Sequence, residues 1–228
     1  MAEGKKKMGI MATISSNTIV KNGMPFIGKV LEQVAPYMEK MFVTISEKSD
    51  DGTIAEVNRV YEKYPDKLIV DFENVSRVGL LTEVEQAQAN KTTSEWILFL
   101  SDDDYWPKEE LLKCIQQLDK DPTMLAYSVN PYQMIDWETH DSSWAGKAFS
   151  KFLRQKGLRY VREWPDEMPA DENNQLLYRR QHPKVKELPY KFYHLPLLKG
   201  HSFRNEAWAG HYKYKVGTPI KLDKPLVI

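Results

Sequence analysis

The chain has 228 residues, 42% hydrophobic and 28% charged, which is enough apolar sequence to bury a sizeable core. Its 32 basic residues balance 32 acidic ones, and this excludes a global electrostatic attraction to nucleic acid or to an anionic membrane. The single cysteine, Cys114, excludes an intramolecular disulfide and lies in an apolar pattern typical of a core residue. We therefore expect a reducing, cytoplasmic location.

The start of the chain carries no recognisable membrane or export signal. No stretch approaches the roughly 20 apolar residues that span a bilayer. The first eight residues are charged and are not followed by the long apolar segment of a signal peptide. We expect residues 1–8 to be a disordered basic start.

From Gly9 to about Asn130, short β-type runs alternate with longer helical ones, a pattern typical of parallel strands joined by crossover helices. The predicted strands are residues 10–15, 41–45, 68–72, 96–100 and 125–129. Apolar stripes at helical spacing predict core-facing helices over residues 26–38, 54–64 and 80–87. A fourth helix should start after Pro107 and end near Asp121.

After Asn130 this alternation stops, and the sequence becomes rich in aromatic residues, prolines and charges. We predict loops and short strands there, with helices over about 172–180 and 205–209. We therefore expect one domain with two halves, residues 9–130 and 131–228. Ligands of parallel α/β sheets bind at the carboxyl ends of the strands, so the residues that follow predicted strands are the candidate site residues.

The strand predicted over residues 96–100 ends in the run Ser101-Asp102-Asp103-Asp104. Adjacent carboxylates repel one another unless a cation lies among them, and Mg²⁺ or Mn²⁺ prefers oxygen ligands and leaves positions open for substrate phosphates. The alternative is a solvated turn in which Asp104 caps the next helix. The position at the end of a strand favours the metal site.

This region resembles the DxD segment of GT-A glycosyltransferases, and of family 2 in particular. Residues 97–100 match the strand before the motif, and Pro107 to Leu111 match the "P-x-E-x-L" helix after it. Ser101 stands at the usual leading Asp, so the motif is either Asp102-x-Asp104 or the pair Asp103 and Asp104. The resemblance implies an α/β GT-A (Rossmann-like) fold with a mostly parallel sheet, Mn²⁺ or Mg²⁺ on Asp102 and Asp104, and donor contacts from Asp102 and Asp103.

Two further stretches resemble the loops that cradle the nucleotide in that family. Residues 19–31 are similar to its first loop and helix, and residues 42–53 are similar to its second loop. A third segment, residues 76–80, resembles the loop beside the diphosphate, although its arginine could also be a surface charge. The donor contacts that the resemblance implies are Ser16, Asn17, Lys21, Asn22, Ser46, Glu47 and Arg77. Ser46 replaces an Asp of the family, and Glu47 is its neighbouring substitute.

In the second half, the resemblance implies a carboxylate base at the start of a helix, for which Asp171 and Glu172 are the candidates and Asp166 and Glu167 the fallback. The pair could equally be a helix cap. His194 is expected to complete the metal shell. The phosphate partners implied nearby are Lys199, His201 and Arg204.

Residues 9–130 would then bind the nucleotide sugar, and residues 131–228 would bind the acceptor and carry the base. The predicted activity is a metal-dependent hexosyl or pentosyl transfer, with inversion, from a nucleoside diphosphate sugar (a UDP sugar by expectation) to an acceptor hydroxyl. The acceptor could be a saccharide, a lipid-linked sugar, a protein or a modified DNA base.

Two alternatives stay open. A phage-type transferase acting on a hydroxylated pyrimidine in DNA would need a local basic face, because duplex affinity comes largely from phosphate contacts. The candidates for that face, which is otherwise a solvated surface, are Lys147, Lys151, Arg154, Lys156, Arg159 and Arg162. The other alternative is an inactive GT-A-like module that binds a nucleotide or a sugar.

Overall fold

The computed structural model describes residues 12–74, 78–141, 149–163, 166–177, 182–195, 198 and 219–226. These ranges contain the helices α1 (Ile27–Val34), α2 (Thr53–Lys63), α3 (Val78–Lys91) and α4 (Lys108–Ile115), with a 3₁₀ turn at Ala35–Tyr37. The strands are β1 (Ile14–Val20), β2 (Met41–Ser46), β3 (Leu68–Glu73), β4 (Trp96–Phe99), β5 (Asp104–Tyr105), β6 (Ala126–Gln133), β7 (Thr139–Asp141), β8 (Phe149–Arg154), β9 (Arg159–Glu163), β10 (Asp166–Ala170), β11 (Val185–His194) and β12 (Pro219–Lys221).

Eight of these strands form one sheet in the order β3-β2-β1-β4-β8-β6-β11-β5. The strands β3, β2, β1 and β4 are parallel, so their carboxyl ends meet at one edge, as the alternating pattern predicts. β8 runs antiparallel between β4 and β6, and β11 is parallel to β6. Strand β6 crosses the predicted boundary at residue 130, so both predicted halves of the chain build the same sheet.

The first strand lies later in the chain than predicted. Its bounds are Ile14–Val20 rather than 10–15, and it includes four polar residues in a row, Ser15 to Thr18, all buried. The Ser15 hydroxyl pairs with the Ser94 hydroxyl at 2.7 Å, which satisfies one of them inside the fold. Strand prediction relies on apolar residues, so this polar run resembled a loop.

Helix α3 turns a polar face toward the sheet, unlike the predicted apolar stripe over residues 80–87. Its buried residues include Glu85, Gln88 and Ala89, whereas Ala87 is exposed. The Gln88 amide donates to the Thr18 carbonyl oxygen at 3.0 Å and to the Thr44 hydroxyl at 2.9 Å. Because the middle of the sheet is polar, the face of α3 that packs against it is polar too.

The main core lies between the sheet and helices α1, α2 and α4. It includes Trp96 and Trp106, which are among the largest fully buried side chains. Cys114 is buried there as predicted, and burial raises the pKa of its thiol. In the stripe over residues 54–64, Val57 and Val60 are buried, but Tyr61 is exposed, so this predicted face is only partly correct.

Two further predictions concern the second half. Residues 172–177 form a turn and an isolated bridge between Ala170 and Leu176, so the helix predicted from residue 172 is wrong over this range. The helix predicted over 205–209 lies outside the described residues. Among the helices that the structure describes, none has the length and apolar content needed to cross a membrane.

Candidate metal and donor site

The acidic run is a tight turn between two strands. The Asp104 N–H donates to the Ser101 carbonyl oxygen at 3.1 Å, and the Ser101 N–H donates to Asp104 Oδ2 at 3.0 Å. Asp104 then begins β5 and pairs with His194 of β11. Asp104 is therefore a buried strand residue, which excludes the alternative in which it caps the next helix.

Gln33, on helix α1, fixes the backbone around Asp104. Its Nε2 donates to the Asp104 carbonyl oxygen at 3.0 Å, and its Oε1 accepts from the Trp106 N–H at 2.7 Å. One side chain thus satisfies the backbone on both sides of Tyr105. Gln33 falls between the apolar positions of α1, and nothing in the sequence distinguishes it from a solvated residue.

Asp103, Asp104 and His194 converge on one point, with one ligand atom of each lying within 4.8 Å of the others. His194 Nδ1 is 3.0 Å from Asp104 Oδ1 and 3.4 Å from Asp103 Oδ1. Burial disfavours the imidazolium, but the Asp103 charge and the hydrogen bond to Asp104 outweigh it and raise the pKa of His194. Two carboxylate oxygens and an imidazole nitrogen form a ligand set suited to Mn²⁺.

A lysine also contacts this cluster. Lys151 of β8 is buried, and its Nζ donates to Asp104 Oδ2. Burial alone would raise the pKa of Asp104, but the Lys151 ammonium and the His194 hydrogen bond hold it below its usual value. The ionised Asp104 is thus held between a lysine on one oxygen and a histidine on the other.

Gln133 lies beside the cluster with a buried amide. It pairs in register with His194 across the parallel strands β6 and β11, so both side chains are on the same face of the sheet. Neither its Nε2 nor its Oε1 has a hydrogen-bond partner among the described residues. A buried, unsatisfied amide is costly, which makes it a candidate contact for a bound water or ligand.

Asp102 faces a different neighbour. A Cβ built at Gly23 would lie 3.1 Å from Asp102 Oδ2, so this carboxylate borders the loop between β1 and α1. The structure therefore groups Asp103, rather than the predicted Asp102, with Asp104 and His194. Asp102 as a donor contact stays a prediction.

The two predicted nucleotide loops are tied together by hydrogen bonds. Asn22, at a positive φ of 56°, donates from Nδ2 to Asp50 Oδ1 at 3.0 Å and accepts the Asp50 N–H at 3.1 Å. The Gly23 N–H donates to the Thr53 hydroxyl at 2.6 Å. Asp51 Oδ1 accepts the Thr53 N–H at 3.1 Å, a local turn that precedes helix α2.

Gly23 is the most constrained position in this loop. A Cβ there would approach Val20 Cγ2 to 2.6 Å and Ile27 Cβ to 3.0 Å. We expect Gly23→Ala to lower the free energy of unfolding by about 1–3 kcal/mol through overpacking, measured by urea denaturation. A matched control is Gly28→Ala, where the three atoms nearest to the added Cβ all belong to the Glu56 side chain, which can turn away, so stability should change by about 1 kcal/mol or less. Equal losses in both variants would contradict the prediction.

Some of the remaining predicted donor contacts near these loops are buried, and others are partly exposed. Ser16 and Asn17 are buried within β1, and Asn17 lies opposite Phe99, the last residue of β4, with its carbonyl oxygen accepting the Leu100 N–H at 3.0 Å. Ser46 ends β2 but is buried, and its hydroxyl accepts the Lys48 N–H at 3.4 Å. Of the described candidates, Lys21, Asn22 and Glu47 are at least partly exposed at this edge.

The predicted catalytic pair lies elsewhere. A Cβ at Gly157 would be 3.7 Å from Glu172 Oε2, and Gly157 belongs to the turn between β8 and β9. The neighbouring Gln155 N–H donates to the Glu95 carbonyl oxygen at 2.9 Å, at the amino end of β4. Seven residues of extended chain separate Glu95 from Asp102, so the two edges are about 20 Å apart.

Asp171 forms hydrogen bonds with the backbone of the turn that follows it. Its Oδ1 accepts the backbone N–H groups of Asn173 at 2.8 Å and Gln175 at 2.9 Å, and these bonds lower the pKa of Asp171. Such a turn uses the carboxylate as a local cap without a helix behind it. The structure therefore does not bring Asp171 and Glu172 to the acidic cluster, and the expectation that they begin a helix is wrong.

The basic run considered for DNA binding is not one solvated face. Lys151 is buried against Asp104, whereas Arg154 pairs with Glu95 and lies 4.4 Å over the Trp96 ring. Both side chains thus contact other residues of the chain rather than forming a solvated surface. Four candidate phosphate contacts, Arg77, Lys199, His201 and Arg204, lie outside the described residues, as do the side chains of Asp166 and Glu167 and the whole of Lys147.

The sequence that builds this site matches a known protein family. A protein-family model described as glycosyl transferase family 2 matches residues 20–183, the range that holds both nucleotide loops and the acidic run. The chain belongs to glycosyl transferase family 2. No curated protein sequence matches this family 2 chain significantly.

Solved structures with a similar fold include S. aureus TarS, which is 16% identical with a TM-score of 0.52 over 80% of this chain and 36% of that chain. S. aureus TarS 1–349 in complex with UDP is 14% identical with a TM-score of 0.50, over 79% and 60%. Mannosyltransferase PcManGT from Pyrobaculum calidifontis, in complex with GDP-Man and Mn²⁺, is 24% identical with a TM-score of 0.46, over 53% and 36%. The family 2 chain thus spans 36–60% of the length of these structures.

The overlap with TarS concerns the fold. The family 2 chain has the α/β, GT-A type of architecture that its acidic run and first loops predict, with a mostly parallel sheet. Membership in the family and this fold support a glycosyltransferase.

Proposed function

We propose that this chain transfers a sugar from a nucleoside diphosphate sugar to an acceptor hydroxyl, with a divalent metal ion and inversion at the anomeric carbon. The observation that carries the proposal is the convergence of Asp103, Asp104 and His194 at the sheet edge that also holds the two family loops. A cytoplasmic location remains the expectation from the single buried cysteine.

The cluster fits a hard divalent ion. Asp103 Oδ1, Asp104 Oδ1 and His194 Nδ1 offer three ligand atoms, and the buried Gln133 amide lies on the same face. A bound Mn²⁺ or Mg²⁺ would stabilise the negative charge that develops on the departing diphosphate. Gln33 and Lys151 hold Asp104 in place for that role, one through the backbone and one through the carboxylate.

The donor would lie between the acidic turn and the two tied loops. Asp102, Lys21, Asn22 and Glu47 are the described side chains that we propose for nucleotide contacts. A UDP sugar is the proposed donor, since TarS 1–349, which shares the fold, is a complex with UDP. The phosphate partners that the resemblance implies, Arg77, Lys199, His201 and Arg204, remain part of the proposal.

Inversion requires a carboxylate that takes the proton of the acceptor hydroxyl. Because Glu172 borders the opposite edge of the sheet, we propose the fallback pair, Asp166 and Glu167. These residues begin β10, and Asp166 pairs with Glu163 at the end of the β9–β10 hairpin that is distant from Gly157. The pair Asp166 and Glu167 and the pair Asp171 and Glu172 therefore lie at opposite ends of this hairpin.

Calorimetric titration tests the proposal. UDP, GDP, CDP and dTDP would each be titrated into the protein with and without Mn²⁺. We expect binding of one nucleotide, UDP by preference, that strengthens when Mn²⁺ is present. Absence of binding for all four would contradict the proposed function, whereas binding of GDP alone would change only the donor.

A further inference from the structure

Lys151 occupies an unusual place for a lysine. Its residue is 4% exposed, and its Nζ lies 5.2 Å from the centroid of the Phe99 ring and 4.9 Å from that of Phe192. Lysine is almost never buried this fully unless it is paired. Its hydrogen-bonded partner is Asp104, also buried.

The contacts of Asp104 divide between its two oxygens. Lys151 and the Ser101 N–H both donate to Oδ2, whereas Oδ1 lies 3.0 Å from His194 Nδ1. Lys151 therefore binds the oxygen that does not contact His194. The carboxylate is fixed in the orientation that keeps Oδ1 directed at His194.

Lys151 also changes the charge of the cluster. Two ionised carboxylates, Asp103 and Asp104, would carry a charge of about −2, and the ammonium of Lys151 reduces this to about −1. With a divalent ion bound, the site would then be one charge unit more positive than it would be without the lysine, which favours a diphosphate. Without Lys151, the same ion would only neutralise the two carboxylates.

We infer that Lys151 is a built-in cation of the acidic cluster: it positions Asp104 without a metal ion and makes the metal-loaded site one charge unit more positive. The first part rests on the described contacts alone. The second part rests on the proposed function, because it requires a divalent ion on Asp103, Asp104 and His194.

The test compares Lys151→Met with the wild type by thermal unfolding, with and without Mn²⁺. Methionine keeps most of the side-chain volume and removes the charge, so the buried Asp104 loses its lysine partner and keeps the hydrogen bonds with the Ser101 N–H and His194. We expect the Tm without metal to fall by about 10 °C. Mn²⁺ should then raise the Tm of the variant by about twice the shift of the wild type, because the ion replaces the missing cation.

Lys91→Met is the matched control. Lys91 pairs with Asp71 at 2.6 Å, but both side chains are about half exposed, and such pairs contribute little. Its Tm should fall by about 2 °C or less, and its Mn²⁺ shift should equal that of the wild type.

A double variant separates the inference from the proposed function. Asp104→Asn combined with Lys151→Met removes both charges and should recover about half of the Tm that Lys151→Met loses. An unchanged Tm in Lys151→Met, or no recovery in the double variant, would overturn the positioning role. Equal Mn²⁺ shifts in Lys151→Met and the wild type would overturn the charge role. If Mn²⁺ shifts no variant, the metal part of the proposed function fails, and recovery in the double variant would still support the positioning role.

Discussion

Replacing Asp103 by asparagine is expected to reduce Mn²⁺-dependent hydrolysis of the donor sugar by about 100-fold or more in kcat/KM. The amide keeps the size of the side chain but loses the negative charge, and Asp103 Oδ1 is one of the three converging ligand atoms. Among the described residues, Asp103 pairs with His194 and not with a buried lysine, so the fold should persist. Circular dichroism would verify this, and initial rates over a Mn²⁺ series would give kcat/KM.

The matched variant is Asp102→Asn, which changes the neighbouring carboxylate that borders Gly23. We expect it to raise the KM for the donor while changing the Mn²⁺ concentration for half-maximal rate by about 3-fold or less. A larger loss of Mn²⁺ response in Asp102→Asn than in Asp103→Asn would contradict the assignment and restore the Asp102-x-Asp104 reading of the motif.

Replacing Trp106 by alanine is expected to lower the free energy of unfolding by about 3–5 kcal/mol. The Trp106 ring stacks on Phe192 with centroids 4.8 Å apart and meets Phe152 edge-on at 5.5 Å. It joins β5 to β11 and β8, the strands that carry the acidic cluster. Urea denaturation followed by circular dichroism measures the loss.

Trp106→Phe provides the control. The indole Nε1 has no hydrogen-bond partner among the described residues, so phenylalanine keeps much of the ring contact without leaving a partner unpaired. We expect a loss of about 1.5 kcal/mol or less. Similar losses in both variants would show that the stabilisation depends on the volume of the whole indole rather than on the ring contacts with Phe192 and Phe152.

The parallel part of the sheet was predictable because its strands and helices obey simple periodicity. β2, β3 and β4 are short apolar or mixed runs between helical segments, and each lies within a residue of its predicted bounds. The start of β1 was predicted too early because Ser15 to Thr18 are polar yet buried in the sheet, where the Ser15 hydroxyl pairs with Ser94. The polarity of a short segment does not show whether that segment will form a strand in the middle of the sheet.

The acidic cluster was only partly predictable. Asp104 and His194 lie 90 residues apart, and their association came from resemblance and position, not from local pattern. Lys151 was missed because a lysine within a basic run is ordinarily solvated, and only the sheet order brings β8 against the acidic turn. Asp171 has a genuine capping signal, but the same signal suits the tight turn that it forms.

The most direct test of the proposed function is a crystal structure with UDP and Mn²⁺, with manganese located by its anomalous scattering. We predict one manganese peak at coordination distance, about 2 Å, from Asp103, Asp104 and His194, with the diphosphate bound to the same ion. A UDP complex whose manganese lies away from these three residues, or that forms with no manganese at all, would contradict the account.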